Sequence, residues 1–334
     1  MQGLWKLIAA VSASLIAAAV SAQSAQEIRV GNVTANDTQA AVCDKFAELL
    51  TKHSGGRLNA KAFHGESLGN NAQMTRAMQA GSIHAILTPA GFMAAVVPEM
   101  GLFDLPFLLP GDPAGITAFA AKSKAAVEII KAAGEKGIQV LGFNGIGGQS
   151  FLTNFPVTRL ADIQGKKFRV IPSPPRVGAY KDWGAVARPM ELGEVYTALQ
   201  QRTLDGMENP PDVIYKMKHH EAAKYYTITD HFAFVAAVMV SKKWFDGLPK
   251  DLQDVAARVG KETIEFADAA YSQSQNASLE AMKKVITVTR MPAEEIEKMK
   301  ALAYKGVWET LKEDPKRGPI IRLMQEDLAA LNRK

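Results

Sequence analysis

From Glu27 onward, strand-like and helix-like stretches alternate, and that alternation admits few folds. Glu27 to Val33 (EIRVGNV) interleaves polar and apolar residues, and Thr34-Ala35-Asn36-Asp37 forms a turn able to cap a helix. Val42, Phe46, Leu49, Leu50 and His53 then recur at helical spacing, and Gly55-Gly56, which accept positive φ, end the helix. Arg57 to His64 (RLNAKAFH) reads as a strand, NNAQMTRAMQAG as a helix closed by Gly81, and Ser82 to Thr88 (SIHAILT) as a third strand. A helix over about Pro113 to Gly134 and a strand at Ile138 to Phe143 follow. Strands separated by helices imply a mostly parallel α/β sheet.

NGIGGQS, Asn144 to Ser150, reads as a glycine-rich turn, and beyond it a second series begins. It runs KKFRVI, a helix around Arg176 to Trp183, ARPME, a helix at Gly193 to Gln201, TLDGME, and a helix opened by Pro210-Pro211. Two series joined near residue 145 predict two lobes. From about Lys250 long helices take over, with apolar positions such as Val255, Ala256, Val259, Ile264, Phe266 and Ala267, and these are expected to brace both lobes. No fixed-period repeat interrupts the pattern.

The N-terminus sets the compartment. Met1 to Lys6 carries one positive charge, Leu7 to Ala19 is almost wholly apolar, and Val20-Ser21-Ala22 offers small residues where a signal peptidase cleaves. This predicts a secretory signal over residues 1–22, since the apolar run is shorter than the roughly 20 residues a membrane span needs. The mature chain is expected to be exported and periplasmic. Cys43 is the only cysteine, which excludes an internal disulfide and sites built on paired thiolates. The net charge of +5 is spread along the chain without basic runs, so nucleic acid is not an expected partner and small anions are.

Three motifs invite enzyme readings. Gly65-Glu66-Ser67-Leu68-Gly69 matches the nucleophile elbow G-x-S-x-G between a strand and a helix, which would make Ser67 a hydrolase nucleophile. No His-Gly-Gly-Gly segment supplies an oxyanion hole, and the triad base would have to be His84, His219, His220 or His231, so a glycine-bounded turn is the better reading. Gly145 to Ser150 resembles the start of a dinucleotide fingerprint but has Ser150 at the third glycine position. His219-His220 suggests a metal pair, yet adjacent residues on a helix point about 100° apart. No cofactor and no metal are expected.

Arg169 is different. In KKFRVI the side chains alternate, so Lys167, Arg169 and Ile171 share one face, and a parallel strand is usually covered on both. A guanidinium there is costly without a partner. Pro172 puts Arg169 near the carboxyl end of its strand, where ligands of open α/β sheets bind, and a planar fork suits a carboxylate. Pairing with an internal Asp or Glu would explain the residue equally well. Asn209, before Pro210, either caps a helix or donates its amide to the same anion; its position favours the cap.

Taken together, GGRLNAKAFHGESLGNNAQMTRAMQAGSIH, FDLPFLL, LADIQGKKFRVI, MELGEVYTALQQRTLDGMENP and KKWFDGLPKDLQ resemble one family. From about residue 26 to the C-terminus the chain is similar to the DctP-type solute-binding proteins of tripartite ATP-independent periplasmic (TRAP) transporters. The resemblance implies a two-lobed periplasmic-binding-protein fold, each lobe a mostly parallel sheet flanked by helices, with a long helix spanning both. Residues 26–145 plus about 234–274 would form lobe I, and 146–233 plus about 275–334 lobe II. It also implies a monomer that captures a small organic acid, without a cofactor, and delivers it to a small and a large membrane subunit. Presentation to a membrane receptor would use the same binding sequence.

Arg169 matches the family arginine that salt-bridges the ligand carboxylate, and Asn209 the asparagine beside it. The cleft implied by the resemblance further takes in Asn36, Phe92, Gly148, Gln149, Ile171, Leu192 and Phe234. Where many relatives carry another arginine this chain has NGIGGQSF, Leu192 replaces a frequent aromatic, and Phe92 falls where some relatives are polar. A monocarboxylate with a less polar body, such as a keto, hydroxy or aromatic acid, is therefore expected over a dicarboxylate, unless Arg176 in SPPRVGAY supplies the missing charge.

Overall fold

The computed structural model describes residues 25–331. The signal segment expected over residues 1–22 lies outside them, as do residues 332–334. Nine strands form one sheet: β1 (Gln26–Gly31), β2 (Leu58–Phe63), β3 (Ala85–Pro89), β4 (Ile138–Thr153), β5 (Lys167–Val170), β6 (Val186–Pro189), β7 (Gly206–Asn209), β8 (Tyr225–Ser241) and β9 (Thr287–Arg290). Their spatial order is β2-β1-β3-β8-β4-β7-β5-β6, with β9 added beside β8. β1, β2 and β3 are mutually parallel, as are β5, β6 and β7. This is the α/β architecture that the alternation predicts.

Its middle departs from that prediction. β4 and β8 are 16 and 17 residues long and pair antiparallel from Ile138↔Ser241 to Thr153↔Tyr225, so one ribbon joins the two parallel groups. The glycine-rich stretch read as a turn is strand throughout. Register shifts beside Gly142, Gly147 and Phe151 mark bulges, which bend and twist the ribbon without ending it. The glycines serve close approach instead of chain reversal. A Cβ on Gly145 would stand 2.2 Å from the Pro113 carbonyl oxygen, where the helix following it presses on the strand.

β8 escapes the alternation argument for a related reason. Its run FAFVAAVMV shows no polar face because both faces are covered. Val235, Ala237 and Met239 enter one apolar core with Phe103, Phe119 and Trp183, whereas Phe234, Ala236, Val238 and Val240 enter another with Phe46, Leu50 and Val259. Period-two side chains thus serve two cores from one strand.

The helices that matter for the site are α1 (Thr38–His53), α2 (Asn71–Ala80), α3 (Pro113–Lys122), α4 (Lys124–Glu135), α5 (Pro174–Asp182), α6 (Val195–Gln200), α7 (Pro211–Lys216), α8 (His219–Ala222), α9 (Lys242–Gly247) and α10 (Lys250–Met282). The single helix expected over Pro113 to Gly134 is two, broken at Ser123, whose hydroxyl accepts from the Ala126 N–H and caps α4. α10, with 33 residues, extends about 50 Å at 1.5 Å per residue. It packs on α1 and β4 through Ala256, Val259, Thr263 and Ala267, and reaches α7, where Ser274 donates to Asp212 and Gln275 accepts from the Asp212 N–H at 3.0 Å.

Candidate functional site

Each parallel group directs the carboxyl ends of its strands toward the same narrow cavity, of about 30 Å³. The first group contributes Thr34, Asp37 and Gln39 after β1, and Pro89 and Phe92 at and after the end of β3. The second contributes Arg169 of β5, Leu192 after β6, Asn209 at the end of β7 and Val213 of α7. Ile146 of β4, Phe234 of β8 and Tyr271 of α10 complete the wall.

Arg169 is 1% exposed and sits opposite Met207 of β7 and Arg188 of β6. Its Nε donates to the Met190 carbonyl at 2.9 Å, and the ring of Phe92 lies 5.8 Å from the guanidinium carbon. Nη2 is buried without a hydrogen-bond partner, and no carboxylate among the described residues forms an ion pair with this side chain. Burial lowers its pKa to about 10, with Glu208 nearby opposing the shift, so the group stays cationic at neutral pH. Next to it, Asn209 is 1% exposed; its Oδ1 accepts from Gln149 Nε2 at 3.3 Å, while its Nδ2 is buried and unpartnered. Two N–H donors are left over in one apolar cavity. An acceptor with two oxygens, such as a carboxylate, is the chemical group that would satisfy both.

The other arginine is spoken for. Arg176 of α5 is fully buried, donating from Nη2 to Asp104 at 2.6 Å and from Nη1 to Glu208 at 2.8 Å, with Phe232 stacked 4.5 Å from its guanidinium carbon. Tyr180 donates to the other oxygen of Glu208. Burial raises the Glu208 pKa, but His231, Arg176 and Tyr180 outweigh it and hold the carboxylate below its usual range. Arg176 therefore does not supply the extra charge that its sequence position left open, because two carboxylates distant in sequence already neutralise it.

The remaining expected positions divide. Phe92, Leu192 and Phe234 line the cavity. Gln149 stands behind Asn209 as its hydrogen-bond donor, and Ile171 is 1% exposed within the apolar core. Gly148 lines a different hollow, beside Asp230 and Arg290. Asn36, at φ 65°, faces solvent, and the chain turns the next residue inward instead. Sequence reasoning missed that neighbour, Asp37, because a helix-capping turn accounts for an Asp without any further role.

Polar contacts join the segments that follow the two strand groups, beside the lining residues Asp37 and Val213. The Thr38 N–H and hydroxyl donate to the two oxygens of Asp212 at 3.3 and 3.1 Å, and Lys216 pairs with Asp212 at 2.8 Å. Asn71 donates to Glu191 at 3.0 Å. The GESLG stretch is a turn, with Gly65 and Glu66 at φ near 60°, and it carries the Glu66 carboxylate against the backbone of Gly193. Burial raises the Glu66 pKa, Glu191 adds to the shift, and the Gly193 N–H counters it.

Residues 30–314 match the family model for bacterial extracellular solute-binding proteins, family 7, the DctP model. The chain belongs to this family of TRAP solute-binding proteins. Among its DctP-type relatives is the 2,3-diketo-L-gulonate-binding periplasmic protein of Escherichia coli K12, 31% identical over 81% of this chain and 83% of that one. The C4-dicarboxylate-binding periplasmic protein of Rhodobacter capsulatus is 29% identical over 82% of this chain and 84% of its own. A TRAP periplasmic solute-binding protein from Desulfovibrio salexigens, crystallised with orotic acid, superposes with a TM-score of 0.85 at 29% identity, covering 91% of this chain and 99% of that one. The family and these relatives are binding proteins, not enzymes. No helix among the described residues is long and apolar enough to cross a membrane.

Proposed function

We propose that this protein, exported and trimmed after Ala22, binds one small organic acid between two lobes and hands it to the small and large membrane subunits of a TRAP transporter. The lobes are residues 26–145 with about 234–274, and 146–233 with about 275–334. Arg169 takes the ligand carboxylate through its free Nη2, and Asn209 Nδ2 donates beside it. The observation that carries this reading is Arg169 itself: a cation 1% exposed, unpaired, in a cavity at the ends of parallel strands. An uncompensated buried charge costs several kcal/mol, which a bound carboxylate would offset. Arg169 is the one cationic side chain lining the cavity among the described residues, and the walls are otherwise largely apolar. That favours a monocarboxylate over a dicarboxylate. Binding would shift the open–closed equilibrium by the difference in contacts the ligand makes in the two forms.

The test is isothermal calorimetry of the mature protein, unfolded and refolded to remove carried ligand, against mono- and dicarboxylates. Wild type is expected to bind one class of acid, and Arg169→Ala to lose about 2 to 5 kcal/mol of that affinity. Arg169→Lys keeps the charge but not the fork and should fall between them. Equal affinity of wild type and Arg169→Ala would make Arg169 a structural residue and end this reading.

A further inference from the structure

Asp37 takes no part in holding the carboxylate, yet it lines the same cavity. It enters from the β1–α1 connection, whereas Arg169 and Asn209 enter from β5 and β7. As the N-cap of α1, it accepts through Oδ1 from the Ala40 N–H at 3.0 Å and from the Thr34 hydroxyl at 2.8 Å. Its second oxygen, Oδ2, is buried without a hydrogen-bond partner in a residue 5% exposed. Capping uses one oxygen, and Ser, Thr or Asn would provide it equally well. The extra acceptor is costly where it stands: burial raises the carboxyl pKa to about 6, Asp212 pushes the same way, and Lys216 opposes both.

We infer that Asp37 is a second ligand anchor, whose free oxygen accepts an O–H or N–H carried by the acid at the end away from its carboxylate. This rests on the Arg169 reading and narrows it. The ligand class becomes monocarboxylates with a distal hydroxyl or protonated nitrogen and an apolar middle set against Phe92, Leu192 and Phe234. A dicarboxylate is disfavoured, because its second carboxylate would present acceptors to an acceptor.

The test uses end-group series of equal length: hexanoate, 6-hydroxyhexanoate, 6-aminohexanoate and adipate, with their four-carbon counterparts. Each is titrated calorimetrically into ligand-stripped wild type, Asp37→Asn, Asp37→Ser and Arg169→Ala. Both Asp37 variants keep a capping oxygen, and thermal melts verify their folding. In wild type the hydroxyl- or amino-ended acid should bind at least tenfold tighter than the methyl-ended one. Asp37→Asn and Asp37→Ser should reduce that preference by roughly 10- to 100-fold while leaving the methyl-ended acid within about twofold. Asp37→Asn should also gain affinity for adipate or succinate, since its amide now donates; a purely structural residue would not produce that gain. Preference for the amino over the hydroxyl member identifies a cationic donor, and the reverse a neutral one. Wild-type preference for a dicarboxylate, or an unchanged order in both Asp37 variants while Arg169→Ala abolishes binding, overturns the Asp37 anchor and leaves the carboxylate site standing. Binding by Arg169→Ala equal to wild type, or no binding by any acid in the set, overturns both.

Discussion

Arg169 and Asp37 are each more costly to the fold than a neutral replacement would be. Arg169→Met fills the same volume without an unpaired charge, so the ligand-free variant should be more stable by on the order of 1–4 kcal/mol in urea unfolding, while failing to bind acid. For Asp37 the sign depends on pH. Burial raises its pKa to about 6 from the ordinary 3.8, so the folded protein holds this proton more tightly than the unfolded chain does. The resulting penalty is absent below about pH 4, grows as pH rises to 6, and is complete above that. Asp212 and Lys216 of α7 and Tyr271 of α10 face the group and stay in place in the variant. Asp37→Asn should therefore unfold like wild type at pH 4 and be stabilised by roughly 2–3 kcal/mol at pH 7.5. Equal stability at both pH values would show that the carboxyl is not perturbed. Residues of one type differ here for reasons the sequence hides. Arg169 and Arg176 look alike along the chain, but only Arg176 meets Asp104 and Glu208, and nothing local to SPPRVGAY announces either partner.

At the scale of elements, the parallel groups were legible because each helix between strands has its own period and its own stop. The ribbon was not. Glycine reads as a turn until one asks what presses on it, and the answer for Gly145 is α3. Gly145→Ala would force its Cβ against the Pro113 carbonyl and, at 2.7 Å, against the Ile116 side chain. Such overpacking should cost about 1–3 kcal/mol in denaturant unfolding. A milder loss would mean that α3 yields. β8 was hidden by success of a different kind: a strand covered on both faces has no polar side to betray its period. Asp37 illustrates the same limit within a loop, since its capping role, which is real, satisfied the local reading and concealed the second oxygen.

The molecule as a whole is held in its present arrangement partly by polar contacts outside the cavity lining. Asp212, fully buried, ties the N-terminus of α1 to α7 and to α10. Asp212→Ala leaves the cavity lining intact but removes this tie. It should lower acid affinity by about tenfold through the closing equilibrium alone. Small-angle scattering should show the ligand-free variant more expanded than wild type; unchanged affinity and dimensions would detach Asp212 from closure. The long ribbon has one more consequence, for the order in which the chain can fold. β3 obtains its inner neighbour only when Ala85 meets Val240, and β4 pairs along its length with the same late strand. While an N-terminal portion emerges from a ribosome, its sheet keeps an open edge until residue 241 has been made. A chain that cannot finish its first half early remains threadable for longer, which suits the export proposed above.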